Sequence, residues 1–167
     1  MSGNIAIGIQ DFSTIIQGNY FYIDKTPFIK EWWDCGDSAT LITRPRRFGK
    51  TLTMSMVEQF FSIDYAGRSD LFEHLAIWKE EKYRELQGTY PVISLSFARI
   101  KERDYEKTKQ KMCEVLRNIY IKFCYIKDSE KLTDADRAYY ERMLEENIKE
   151  TDATSSLYQL SDFLYRY

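Results

Sequence analysis

Apolar positions along this chain fall into short continuous runs and into stripes at helical spacing. Residues 20–23 (YFYI), 39–43 (ATLIT) and 90–97 (YPVISLSF) are aromatic and β-branched, and each predicts a strand. The second has the character of a strand buried on both faces. Pro91 is tolerable in the third only near its start. Between these runs lie helix signals. Asp11 caps a short helix that Gly18 ends. Asp24 or Thr26 caps a second, with Pro27 in its first turn, Phe28, Ile29, Trp32 and Trp33 on its apolar side, and Gly36 closing it. A third begins at about Lys50, with Met54, Val57, Phe60 and Phe61 on one side. Beyond residue 97 the pattern is helical to the end. Met112, Leu116, Ile119 and Phe123 step by 4, 3 and 4, and Thr133 with Asp136 makes a capping box before Tyr140, Met143, Leu144 and Ile148. Leu157, Leu160, Leu164 and Tyr167 step by 3, 4 and 3, so the chain stops inside an apolar stripe. That ending predicts the front part of a longer protein.

At 167 residues the chain has the length of one domain. Its 24 Lys+Arg against 26 Asp+Glu leave a net charge of −2, which excludes a global field drawing the protein onto nucleic acid or anionic lipid. Any polyanion site must be a local cluster. The 13 Tyr, 10 Phe and 3 Trp supply a large core. Cys35, Cys113 and Cys124 form no CxxC, and His74 is the one histidine, which argues against structural zinc and a disulfide scaffold. The N-terminus has no basic n-region or long apolar h-region, and no run approaches the roughly 18 apolar residues that span a membrane. These features predict a cytoplasmic protein with reduced thiols and no membrane partner.

One stretch carries chemistry: residues 41–52, LITRPRRFGKTL. Gly49-Lys50-Thr51 is the second half of the phosphate-binding loop G-x-x-x-x-G-K-[ST]. Gly49 lets the backbone approach phosphate, and the loop N–H groups with the following helix N-terminus form an anion nest. Lys50 reaches the β- and γ-phosphates as the catalytic cation, and the Thr51 hydroxyl ligates Mg²⁺. Arg44, Pro45, Arg46, Arg47, Phe48, Gly49, Lys50, Thr51 and Leu52 are thus the candidate contacts for ATP and Mg²⁺. The first glycine of the pattern is replaced by Arg44, and Pro45 removes a backbone donor. GK[ST] alone arises by chance in roughly one chain of this length in ten. A preceding apolar strand and a following amphipathic helix raise its weight. An alternative reading makes Arg44, Arg46, Arg47 and Lys50 a nucleic-acid backbone site. Hydrolysis also needs an acidic residue ending a second buried strand. The candidate strand ends Ser96-Phe97-Ala98-Arg99, and no carboxylate follows until Glu102.

Taken together, residues 8–12 (GIQDF), 22–26 (YIDKT), 41–52, Leu71-Phe72 and 90–97 resemble the AAA-ATPase-like family of mostly bacterial P-loop proteins. Family members carry the same RPRRFGK[ST] loop, so Arg44 departs from the general pattern but not from this one. The resemblance implies an α/β fold of the additional-strand P-loop NTPase type. It would be an incomplete parallel sheet with extra helices, with residues 1–167 forming the N-terminal part of the domain and the loop at 44–51. It also implies a Walker B strand beyond Tyr167 and, often, a nuclease-like domain of the restriction-endonuclease type that could contact nucleic acid. An ATP/Mg²⁺-binding domain without hydrolytic competence follows, with self-association through its unpaired strands and final stripe. By the same resemblance Tyr22, Asp24 and Lys25 lie near the nucleotide; the bland alternative for them is a strand end and helix cap.

Other groupings have plainer readings. His74, in LFEHL, predicts a partly buried structural histidine. Glu80-Glu81-Lys82 has the E-x-K spacing of metal-dependent nucleases but falls in a helical pattern. Residues 145–152 read as a solvated helix end, and one histidine leaves no room for a Ser-His-Asp arrangement.

Overall fold

The computed structural model describes residues 4–5, 7–45 and 47–167 and divides the chain into two compact units, Met1–Val92 and Ile93–Tyr167. Unit 1 holds α1 (Phe12–Gln17), α2 (Pro27–Cys35), α3 (Lys50–Phe61) and α4 (Glu81–Arg84), with 3₁₀ turns at Ile63–Tyr65, Ser69–Leu71 and Ala76–Lys79. Unit 2 holds α5 (Tyr105–Lys122), α6 (Asp134–Leu144) and α7 (Glu150–Arg166).

The expected parallel sheet is absent among the described residues. Helix makes up 56% of the described residues and strand 1%, which overturns the α/β expectation. The remaining β feature is a parallel bridge between Ser62 and Tyr90, where Ile63 N–H donates to the Tyr90 carbonyl at 2.9 Å and Tyr90 N–H to the Phe61 carbonyl at 2.9 Å. Residues 39–43 and 91–96, expected as strands, form neither strand nor helix, and no described backbone–backbone bond joins either to a neighbour. Local propensity can extend a chain; a sheet needs a partner strand at the right place. Leu41 is consequently 85% exposed.

The helices follow their local signals closely. The Asp11 carboxylate accepts from Thr14 N–H and caps α1, and Gly18 ends it. Pro27 opens α2 and left-handed Gly36 closes it. At α6 both halves of the Thr133–Asp136 capping box form.

The unit 1 core is aromatic. Phe72 stacks on Phe12 at 5.1 Å and meets Phe60 edge-on at 5.1 Å, while Trp33 stacks on Phe61 at 5.3 Å. Ile29 from α2 and Met56 from α3 are fully buried in the same cluster. On α3 the buried face is Met56, Gln59, Phe60 and Phe61, and Met54 faces solvent, contrary to the expected stripe. Gln59 Nε2 donates to Asp11 Oδ1 at 2.8 Å and Ser55 Oγ at 3.2 Å, while its buried Oε1 has no hydrogen-bond partner. In unit 2, Tyr120, Phe123, Tyr140, Met143, Leu160 and Phe163 form the centre. Tyr120 Oη–H donates to the Ser156 carbonyl, and Tyr140 Oη–H to the Tyr120 carbonyl, so both buried phenols are satisfied. Burial pushes the pKa of both phenols up. His74 is exposed in a turn rather than partly buried.

Candidate functional site

The loop predicted to hold phosphate lies between residues 39–43 and α3. Gly49 is the N-cap of α3 at φ +74° and ψ 22°, and no side chain caps the helix. The first-turn N–H groups of α3 therefore point into the loop without a side-chain acceptor. Arg47 sits at φ +68°, a left-handed conformation that costs a non-glycine residue about 1–2 kcal/mol. Such strain concentrates where the backbone must present its N–H groups to a ligand.

Two ammonium groups meet this loop. Lys50 Nζ, from the first turn of α3, donates to the Arg44 carbonyl across the loop. Lys25 Nζ, from the turn before α2, donates to the Phe48 carbonyl at 3.2 Å. Its left-handed φ favours glycine at position 49, and a Cβ there would stand 2.9 Å from that Nζ, the end of a flexible side chain. Beside the loop opens a cavity of about 460 Å³ whose walls include Asp24, Lys25, Phe28, Arg44, Phe48 and Lys50, with Glu31, Ile42 and Thr53 completing them. Its size is that of small-molecule sites, roughly 300–1,000 Å³.

The turn carrying Lys25 is held from both sides. Asp24 Oδ1 accepts from Thr26 N–H at 2.8 Å and Thr26 Oγ1–H at 2.7 Å, and its Oδ2 accepts from Ala76 N–H at 2.7 Å. Thr26, fully buried, accepts from Ile77 N–H at 3.1 Å. Tyr22 Oη–H donates to Met56 Sδ at 3.3 Å and accepts from Lys25 N–H at 3.3 Å; burial pushes its pKa up to about 12.

Of the residues expected at the site, Arg44, Phe48 and Lys50 line the cavity, and Gly49 forms the cradle beside it. Arg47 and Thr51 are exposed next to it, as is Pro45. Leu52 packs against the unit 1 core instead. Arg46 lies outside the described residues. Of the three upstream residues, Asp24 and Tyr22 are tied into the fold by hydrogen bonds, Asp24 also lines the cavity, and the Lys25 side chain reaches the loop; no side chain caps α2 and residues 20–23 form no strand. Phe28 and Thr53 were missed as wall residues. Phe28 was assigned to the apolar side of α2; Thr53 lies one helical turn after Lys50, a spacing that places both on one side of α3.

Among the described residues no group of three or more His, Cys, Asp or Glu forms a metal site. An open helix N-terminus, left-handed backbone and two ammoniums lining one cavity could hold an anion.

A family model described as Predicted AAA-ATPase matches residues 6–159. The chain belongs to this predicted AAA-ATPase family. It is also 33% identical over 113 residues to an uncharacterized protein in the vnfD 5′ region of Azotobacter chroococcum mcd 1, a match that covers 67% of this chain and 20% of that protein. The chain thus spans about a fifth of the curated relative it matches. No solved structure matches the chain. No described helix is long and apolar enough to cross a membrane.

Proposed function

We propose that loop 44–51 binds ATP together with Mg²⁺. The observation that carries this reading is the uncapped N-terminus of α3, entered through left-handed Gly49 and topped by Lys50, in a chain of the predicted AAA-ATPase family. The loop and first-turn N–H groups would hold phosphate oxygens, Lys50 the terminal phosphates, and Thr51 the magnesium ion. When bound, Mg²⁺ would neutralise charge between neighbouring phosphates.

This chain is expected to bind without turnover. Asp24, a carboxylate on the cavity wall, is taken up by three donors, and Glu31 sits on the solvent-exposed side of α2. Neither ends a buried strand, where the chemistry places the acid that orders Mg²⁺ and water.

Isothermal calorimetry with ATP and Mg²⁺ tests the reading. Lys50→Ala should abolish binding, and neither protein should release phosphate. Unchanged ATP affinity in Lys50→Ala overturns the site. Steady phosphate release that disappears in Lys50→Ala overturns the non-hydrolytic part alone.

A further inference from the structure

Four lysines of unit 1 fall into two groups. Lys30 pairs with Glu80 at 2.6 Å and Lys82 with Asp34 at 2.9 Å, ordinary surface ion pairs. Lys25 and Lys50, the two that line the cavity, donate to neutral carbonyls of one loop. An ammonium has three donor hydrogens, so a single carbonyl leaves most of its bonding capacity available. From these observations we infer that Lys25 is a second phosphate-binding cation of this site, and that it makes the site select a polyphosphate chain over a monophosphate. This rests on the nucleotide reading above and extends it to a residue outside the G-x-x-x-x-G-K-[ST] pattern.

The geometry supports the assignment at three points. The backbone of Lys25 is fixed by its neighbours: Asp24 bonds Ala76 N–H, Thr26 bonds Ile77 N–H, and Lys25 N–H itself bonds Tyr22 Oη. The side chain is thus delivered from a rigid turn, and little further ordering accompanies ligand contact. Its Nζ stands where a Cβ of residue 49 would be crowded, beside the N-cap of α3 where phosphate approaches. Finally, Lys50 reaches the loop from α3 while Lys25 reaches it from the turn before α2, through Phe48 rather than Arg44. Two cations anchored on different elements of unit 1 suit a ligand carrying charge on successive phosphates; one suffices for a single phosphate.

The test measures binding of ATP, AMP and inorganic tripolyphosphate, each with Mg²⁺, by calorimetry on the wild-type chain, Lys50→Ala, Lys25→Gln and Lys25→Arg. Lys25→Gln should weaken ATP and tripolyphosphate about tenfold or more, the loss of one charge-assisted contact, and leave AMP within about twofold. Lys25→Arg should recover much of the loss, since it keeps the charge. Tryptophan emission matching wild type establishes that each variant is folded. Wild-type affinity of Lys25→Gln for ATP, with Lys50→Ala inactive, overturns the role of Lys25 and leaves the nucleotide reading standing. Equal losses for ATP and AMP also overturn it, because they would mark a merely structural residue. Absence of ATP and tripolyphosphate binding by the wild-type chain overturns both.

Discussion

Thr26→Val removes one hydroxyl from the turn that delivers Lys25, at almost constant shape. Thr26 is fully buried, and its Oγ1 both donates to Asp24 and accepts from Ile77 N–H at 3.1 Å. Valine leaves the Ile77 N–H buried without an acceptor, which costs about 1–3 kcal/mol. Asp24 suffers less, because it retains Thr26 N–H and Ala76 N–H. A total near 2 kcal/mol is expected; with a urea dependence of about 2 kcal/mol per molar, the midpoint falls by about 1 M. The assay is well isolated. The three tryptophans, Trp32, Trp33 and Trp78, all belong to unit 1 and pack on its core, so their emission follows that unit alone. Thr26→Ser keeps the hydroxyl and should fall by much less. A Thr26→Val midpoint within about 0.2 M of wild type would refute the reasoning, since the turn would then owe nothing to the hydroxyl bond.

Phe72→Ala empties the space between Phe12 and Phe60 and should cost about 3–5 kcal/mol in the same tryptophan-monitored experiment; a loss below about 1 kcal/mol would show that the cluster closes around the gap. In unit 2, Arg166 beside Asp136 holds that carboxyl below its usual 3.8, and Arg142 does the same for Asp152. A carboxyl depressed by folding binds protons more readily when unfolded, so its contribution is present above pH 3.8 and is lost as the pH falls through the lower folded value. Acid titration of helicity by circular dichroism should therefore show a shallower loss in Asp136→Asn than in wild type, and coincident curves would contradict the pairing.

What was legible in the sequence was local. A helix start needs only an acceptor side chain and the next few residues, so Asp11, Pro27 and the Thr133–Asp136 box marked their helices correctly. The Gly49-Lys50 junction with α3 was equally visible, because it too is local. The sheet was not, because residues 39–43 have strand composition whether or not another segment lies alongside. The buried face of α3 was misjudged at Met54 because Gln59 belongs to it, and a buried amide can be foreseen only with Asp11 and Ser55 in view. Lys25 was placed near the nucleotide by resemblance alone; its local sequence, next to a cap, reads as an ordinary surface lysine, and the fold brings it to Phe48, far along the chain.

The two ends of the loop are held very differently. Downstream, α3 is secured by Met56 and Phe60, both wholly buried. Upstream, residues 39–43 are joined to no described neighbour by backbone bonds; Trp32 Nε1–H donating to Thr40 Oγ1 at 3.0 Å is a side-chain tie. Amides in such a segment open at little free-energy cost, while those of a core helix open only with the unit. Hydrogen exchange should accordingly be fast up to the loop and slow from the second turn of α3 onward. A ligand gripping Lys50 and the first turn of α3 thus holds the firm end of the loop, and Arg44, at the other end, becomes ordered only as far as the ligand itself orders it.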